Sequence, residues 1–303
     1  MSRVDPLSHR PKGTLGGLAT RVVPRVVVPL VVVALLGTSI AMSRAEGTTI
    51  AYPPPSEETQ SGLFIVRCPL SHRAQVDPIV NPGPSTPSAH VHDFFGNRST
   101  TSNSTYGSMT AAGTTCGLSR DTAAYWQPTL RRADGTNVNP VAASAYYRNR
   151  PVGYGKTVPF PPDFRMIAGG VGSSEVFWNC FRDDSETVKY SSPPFCRDDY
   201  LRSHIFFPSC WDGVNRDSPN HRSHVVYPTG TGRTACPSSH PVKLPAVRFF
   251  VRYPKNSGGP GWKLSDGTTL PHADFWNTWQ QPALEDLVRR CLNPGVNCGK
   301  QVG

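Results

Sequence analysis

Proline and glycine set the first limit on this chain. Its 303 residues include 31 prolines and 27 glycines. Proline lacks an amide donor and clashes with the preceding turn inside a helix, and glycine gives up more conformational freedom there than any other residue. Long helices are therefore excluded over most of the length, and short strands between frequent turns fit what remains. Segments 63–68, 89–95, 123–130, 141–147, 164–168, 175–180, 203–207, 223–227 and 247–253 are rich in β-branched or aromatic residues and bounded by Gly, Pro, Asn or Asp. In VRFFVRY, Val247, Phe249, Val251 and Tyr253 share one face, while Arg248, Phe250 and Arg252 share the other, as in a strand with one wetter side. One helix is expected near the end: Pro282 suits a first turn, and Leu284, Leu287, Val288 and Cys291 recur at helical spacing within 283–292. The expected fold is mainly β: a single β-sandwich or jelly-roll-like domain with long ordered loops, disulfides and a short C-terminal helix.

Residues 1–25 are basic, with Arg3, Arg10, Lys12, Arg21 and Arg25 against Asp5 alone. An apolar run follows, and Ser43-Arg44-Ala45 offers small residues for cleavage after Ala45. Residues 1–25 read as a cytoplasmic n-region, and 26–45 as a signal peptide or a signal-anchor transmembrane segment. Either reading exports the rest, and the second adds the membrane as a partner. Residues 46–62 are proline-rich and polar, a linker ahead of one extracytoplasmic domain over 63–303. Six of the 31 Lys and Arg and one of the 21 Asp and Glu lie in residues 1–45, so the exported part carries about +5 of the total +10. It contains no basic run longer than Arg131-Arg132 or Arg289-Arg290, which argues against a nucleic-acid partner.

Eight cysteines follow the apolar segment: Cys68, Cys116, Cys180, Cys196, Cys210, Cys236, Cys291 and Cys298. The number is even and no CxxC pair occurs, so up to four disulfides in an oxidising compartment are expected. Cys291 with Cys298 is the pairing the residues favour, because Asn293-Pro294-Gly295 between them can turn the chain back.

Residues 90–97, HVHDFFGN, hold the first candidate site. On a strand His90 and His92 would face one way, at a spacing suited to two ligands of one divalent metal or two donors to one polar ligand. A polar strand face explains them equally well. His221, His224, His240 and His272 stand in other short motifs beside turns, with His72 and His204 elsewhere in the domain. Glutamates are few, so the candidate acids are aspartates: Asp93, Asp121, Asp212 and Asp274. Asp212, in SCWDG, and Asp274, in HADFW, stand beside aromatics, where a raised pKa would suit a general acid; capping of turns is the competing explanation. Trp126 and Trp211 would stack on sugar rings, if they are not simply core residues. There is no GxSxG, HExxH, P-loop or dinucleotide fingerprint.

DPIVNPG (77–83), HVHDFFGN, AYWQPTL, FRMIAGG, FPSCWDG, HRSHVVYP, CPSSHPVKLP and LPHADFWNTW together resemble, in this order, the DUF1996 family of secreted or surface proteins of fungi and actinobacteria. The resemblance spans roughly 63–298. It implies an extracellular location and a cell-wall or polysaccharide setting, and supplies no catalytic roles. The polar positions it carries over are His90, His92, Trp126, Trp211, Asp212, His221, His224, His240, His272 and Asp274. The leading expectation is a domain that binds polysaccharide, or hydrolyses it, at a His/Asp/Trp cleft. In the hydrolytic version Asp212 or Asp274 is the general acid or base and the histidines hold substrate or a metal. A wall-associated or adhesive module without catalysis, and a metal-dependent enzyme acting on something other than sugar, stand beside it.

Overall fold

The computed structural model describes residues 62–84, 87–149, 155–182 and 188–303. The n-region, the signal or anchor segment and nearly all of the linker lie outside the described residues. Among the described residues no helix is long and apolar enough to cross a membrane.

Two principal sheets face each other. The larger runs, edge to edge, through Asn297–Lys300, Leu63–Cys68, Ala142–Arg148, Ala246–Lys255, Tyr200–Phe206 and Val176–Cys180; only the first pair is parallel. The second runs through Leu70–Ala74, His92–Gly96, Ala124–Pro128, His272–Trp276 and Arg165–Gly169, all antiparallel. Inner faces meet in one aromatic core: the Phe249 ring lies 5.6 Å from Tyr125 and 5.9 Å from Phe95 across the gap. Several polar groups caught in this layer pair with one another, as a low-dielectric interior favours. Ser203 Oγ donates to Gln127 Oε1 at 3.0 Å, Gln127 Nε2 donates to the Tyr253 hydroxyl, and the Tyr125 and Tyr147 hydroxyls meet at 2.5 Å. The fold is the expected β-sandwich, and among the described residues neither sheet closes into a barrel.

All eight cysteines are paired: Cys68–Cys116, Cys180–Cys196, Cys210–Cys236 and Cys291–Cys298. Each tie restricts the unfolded chain and contributes about 2–4 kcal/mol, which compensates for the many loops. The helix Gln281–Leu287 begins with Pro282 in its first turn, continues as a π turn Val288–Leu292, and buries Leu284, Leu287, Val288 and Cys291.

Local hydrogen bonds shift some expected strands. The expected strand 89–95 becomes His92–Gly96, because the His90 amide bonds to Ser88 Oγ in a loop instead of a ladder. The expected 223–227 shrinks to Val225–Val226, since the Ser223 amide is taken by Asn220 Oδ1 at 2.8 Å. Leu70–Ala74 (LSHRA) is an edge strand without apolar alternation, which is why hydrophobic pattern does not mark it.

Candidate metal centre

Strand alternation divides the second sheet into two chemistries. Phe95, Tyr125, Ala273 and Phe275 face the shared core, whereas His92, Phe94, Trp126, His272, Asp274 and Trp276 stand on the outer face. That face is roofed by the loop following Ala74: Val76 and Ile79 pack with Phe94, Trp126 and Trp276 in a second apolar cluster. The roof follows from the DPIVNPG stretch. Asp77 Oδ1 accepts the amides of Ile79 and Val80, both at 3.1 Å, and the Asp77 carbonyl accepts the Asn81 amide at 2.8 Å. The tight turn so formed presents the Val76 carbonyl to His92.

That carbonyl sets the state of His92. His92 is 0 % exposed, and its Nδ1 lies 2.9 Å from Val76 O. A carbonyl only accepts, so Nδ1 carries the proton and Nε2 the lone pair. Burial, then the neighbouring His90 and His272, push the His92 pKa well below the usual histidine value. The ring is neutral, with an accepting Nε2 that is buried and has no partner.

His90 and His272 complete the group. His90 precedes the strand, yet its ring centroid is 4.4 Å from that of His92 and 5.2 Å from that of His272. The Nε2 atoms of His90 and His272 are 3.3 Å apart. Two nitrogens each 2.0–2.1 Å from one tetrahedral ion would be about 3.3–3.4 Å apart. His272 Nδ1 faces Asp266 Oδ2 at 3.4 Å, a carboxylate behind a ring as metal sites commonly provide. Burial would raise the Asp266 carboxyl, but the His272 ring and the Thr268 amide and hydroxyl outweigh it and hold its pKa at about 2. Gly169, at φ +80°, lets the neighbouring strand pass close to His272: a Cβ there would meet Pro271 O at 2.6 Å and His272 Cα at 3.2 Å.

Two acids also come close to His92. Ligand atoms of His90, His92 and His272 fall within 4.8 Å of one another, and so do those of Asp77, His92 and Asp274. Asp274 sits opposite Trp126 in the ladder, is 1 % exposed, and neither carboxyl oxygen has a partner. Burial, then Asp77, raise its pKa well above the usual range, against a lowering by Arg222. Among the described residues, His92 Nε2, Trp126 Nε1 and both Asp274 oxygens are buried on this one face without a partner. Such a concentration calls for a missing partner, an ion or water.

The other candidates fare differently. Trp126 is 0 % exposed and its ring packs 5.4 Å from Phe94, so it offers no face to a sugar. Trp211 is partly exposed and donates Nε1 to Asn215 O at 2.6 Å. Asp212 caps the same turn, accepting the Val214 and Asn215 amides at 2.8 and 2.9 Å and the Asn215 side chain at 2.8 Å. Burial raises its pKa, but the bonds to Val214 and Asn215 together outweigh it and lower the value, the opposite of what a general acid needs. His224 is held between Ser218 Oγ at 2.9 Å and Arg165 O at 2.7 Å, and His240 between Ser239 Oγ at 2.9 Å and Ser223 O at 2.8 Å. His221 Nδ1 pairs with Asp217 at 2.8 Å. None of these three histidines has a ring contact or hydrogen bond to His90, His92 or His272. Asp93 points to the inner side and binds Arg73 and Thr129; Asp121 is fully buried beneath Tyr125. Asp77 and Asp266 were not among the sequence candidates. The signal for Asp77 was an Asp opening a Pro/Asn-Pro-Gly turn; Asp266, in an Asp-Gly turn, reads only as a turn former.

A family model described as "Domain of unknown function (DUF1996)" matches residues 77–279. No curated protein and no solved structure matches the chain.

Proposed function

The chain belongs to the DUF1996 family, whose match takes in every residue of the cluster from Asp77 to Asp274, and on that footing we propose that its domain binds a divalent cation, zinc best suiting the donors, through His90, His92 and His272. The observation that carries this reading is the His92 ring: its Nδ1 is committed to the Val76 carbonyl, its buried Nε2 has no partner, and the ring centroids of two more imidazoles lie 4.4 and 6.0 Å away. Neutral imidazole nitrogens suit zinc, and three histidines with a fourth position open are a ligand set found in catalytic zinc sites. The four disulfides support an oxidising, extracytoplasmic setting.

A zinc ion held this way would lower the pKa of a bound water, making hydrolysis the reaction class of the site. Asp77 and Asp274, beside His92, are the groups able to take or hold a proton there. Polysaccharide as the substrate has less support at this site, because Trp126 is buried and a sugar ring would find its stacking partner elsewhere on the molecule. Elemental analysis of the exported domain, purified without a histidine tag, tests the proposal, together with calorimetric titration of chelator-treated protein with zinc. One ion per chain, removable by chelator and rebound with micromolar or tighter affinity, is expected. Metal at background level with no binding heat would overturn it.

A further inference from the structure

The three imidazoles of the candidate centre are not held alike. His92 and His272 each open a strand and pair across a ladder, His92 with Ala74 and Pro128, and His272 with Gly169. His90 precedes its strand, and its amide bonds Ser88 Oγ at 3.4 Å. The second ring nitrogens differ in the same way. His92 Nδ1 donates to the Val76 carbonyl at 2.9 Å. His272 Nδ1 faces Asp266 Oδ2 at 3.4 Å, and that carboxylate is itself fixed, its Oδ1 accepting the Thr268 amide and hydroxyl at 2.9 Å each. Among the described residues His90 Nδ1 has no protein partner. A group behind a ligating ring fixes its direction and tautomer, and loss of such a group weakens metal binding about 10–100-fold. Two of the rings have that support and the third lacks it.

Tautomers widen the difference. A carbonyl and an ionised carboxylate only accept, so His92 and His272 keep their protons on Nδ1 and present a lone pair from Nε2. His272 Nε2 can then only accept, and its 3.3 Å contact with His90 is a donation from His90 Nε2. For His90 to bind an ion, that proton must move to Nδ1, where no protein group holds it. Two ligands are set in advance, and one has to be rearranged.

We infer that His90 is the releasable ligand of this centre, and that its departure admits a substrate that binds the ion through two adjacent oxygens, as a hydroxamate or an α-hydroxycarboxylate does. This rests on the zinc site proposed for these residues and names its class of substrate. With three histidines bound, one of four tetrahedral positions is open. Without His90 there are two, and the vacated one lies where the half-buried His90 ring now stands. A ligand with one donor atom has no use for the second position. A ligand with two donors closes a ring on the ion, and so competes with an imidazole tethered beside it.

Calorimetry of the disulfide-intact protein tests it, with zinc, then acetohydroxamate as a two-oxygen probe and azide as a single-donor probe. His90→Ala should weaken zinc binding less than tenfold, and His272→Ala a hundredfold or more. Acetohydroxamate should bind the zinc-loaded His90→Ala protein at least tenfold more tightly than zinc-loaded wild type, because no ring has to leave, while azide binding changes less than twofold. Melting curves of metal-free protein show that each variant is folded; if His272→Ala is not, His272→Gln replaces it. Equal zinc losses in the two variants, or acetohydroxamate bound no more tightly after His90→Ala, would overturn the inference and leave the metal centre standing. Wild-type protein that binds no zinc would overturn both.

Discussion

Two groups of histidines and aspartates in this protein share composition and differ in what surrounds them. His92, His272 and Asp274 lie on a strand face, with His90 just before the strand and Asp77 in the tight loop above, and His92 Nε2 and both Asp274 oxygens have no protein partner. Asp212, His221, His224 and His240 lie in the loops between 211 and 240, where Asp212 and both ring nitrogens of His224 and His240 are occupied by nearby turns. The first group has binding capacity left over; in the second it is spent on holding backbone. What separates a site from a scaffold here is therefore the disposition of the second nitrogen or oxygen, and residue type says little about it.

The largest expected difference is in metal affinity. His92→Ala should weaken zinc binding by a hundredfold or more in calorimetric titration, with the disulfides and secondary structure kept. His240→Ala should change it by less than twofold. Equal losses in both variants would break the distinction between the groups.

Stability should show the reverse order. His224→Ala removes a buried ring and leaves Ser218 and the Arg165 carbonyl without their partner, a loss of about 2–3 kcal/mol, measurable by denaturant unfolding. His90→Ala, at a half-buried ring in a loop, should cost under about 1 kcal/mol in metal-free protein.

Acid sensitivity sharpens the comparison further. Folded His224 has a pKa lowered chiefly by burial, so its contribution is complete above the unfolded value of about 6.5 and is lost as pH falls through the folded value. His224→Gln should therefore flatten the decline in melting temperature below about pH 6.5. Asp274 works in the other direction. Its raised pKa means that the stability of its neutral form is complete below the unfolded value and lost as pH rises through the folded one. Asp274→Asn should make metal-free protein more stable relative to wild type at pH 8 than at pH 4, read from paired melting curves.

The smallest effect belongs to Asp212. Asp212→Asn keeps an acceptor for the Val214 and Asn215 amides, and should cost under about 1 kcal/mol and leave any hydrolytic activity intact. A hundredfold loss of activity would restore Asp212 as a catalytic acid.

Much of the fold was legible before any coordinates. Turn residues and short apolar segments implied a β-sandwich, because proline and glycine forbid the alternatives locally. An even number of cysteines after an export-type segment implied full pairing, and the Asn-Pro-Gly turn pointed to Cys291–Cys298. The alternation in VRFFVRY placed Val247, Phe249, Val251 and Tyr253 in the core and the arginines outside. All of this rests on local periodicity and chain stiffness, which sequence carries directly. The site does not. His90 and His92 meet His272 across 180 residues only because the sheet order puts the His92–Gly96 and His272–Trp276 strands on either side of Ala124–Pro128. Asp77 enters because a turn folds over that face, and Trp126 leaves the list of ligand contacts because the same turn buries it. Which polar atoms remain without partners is settled by long-range packing, and no local pattern of residues encodes it.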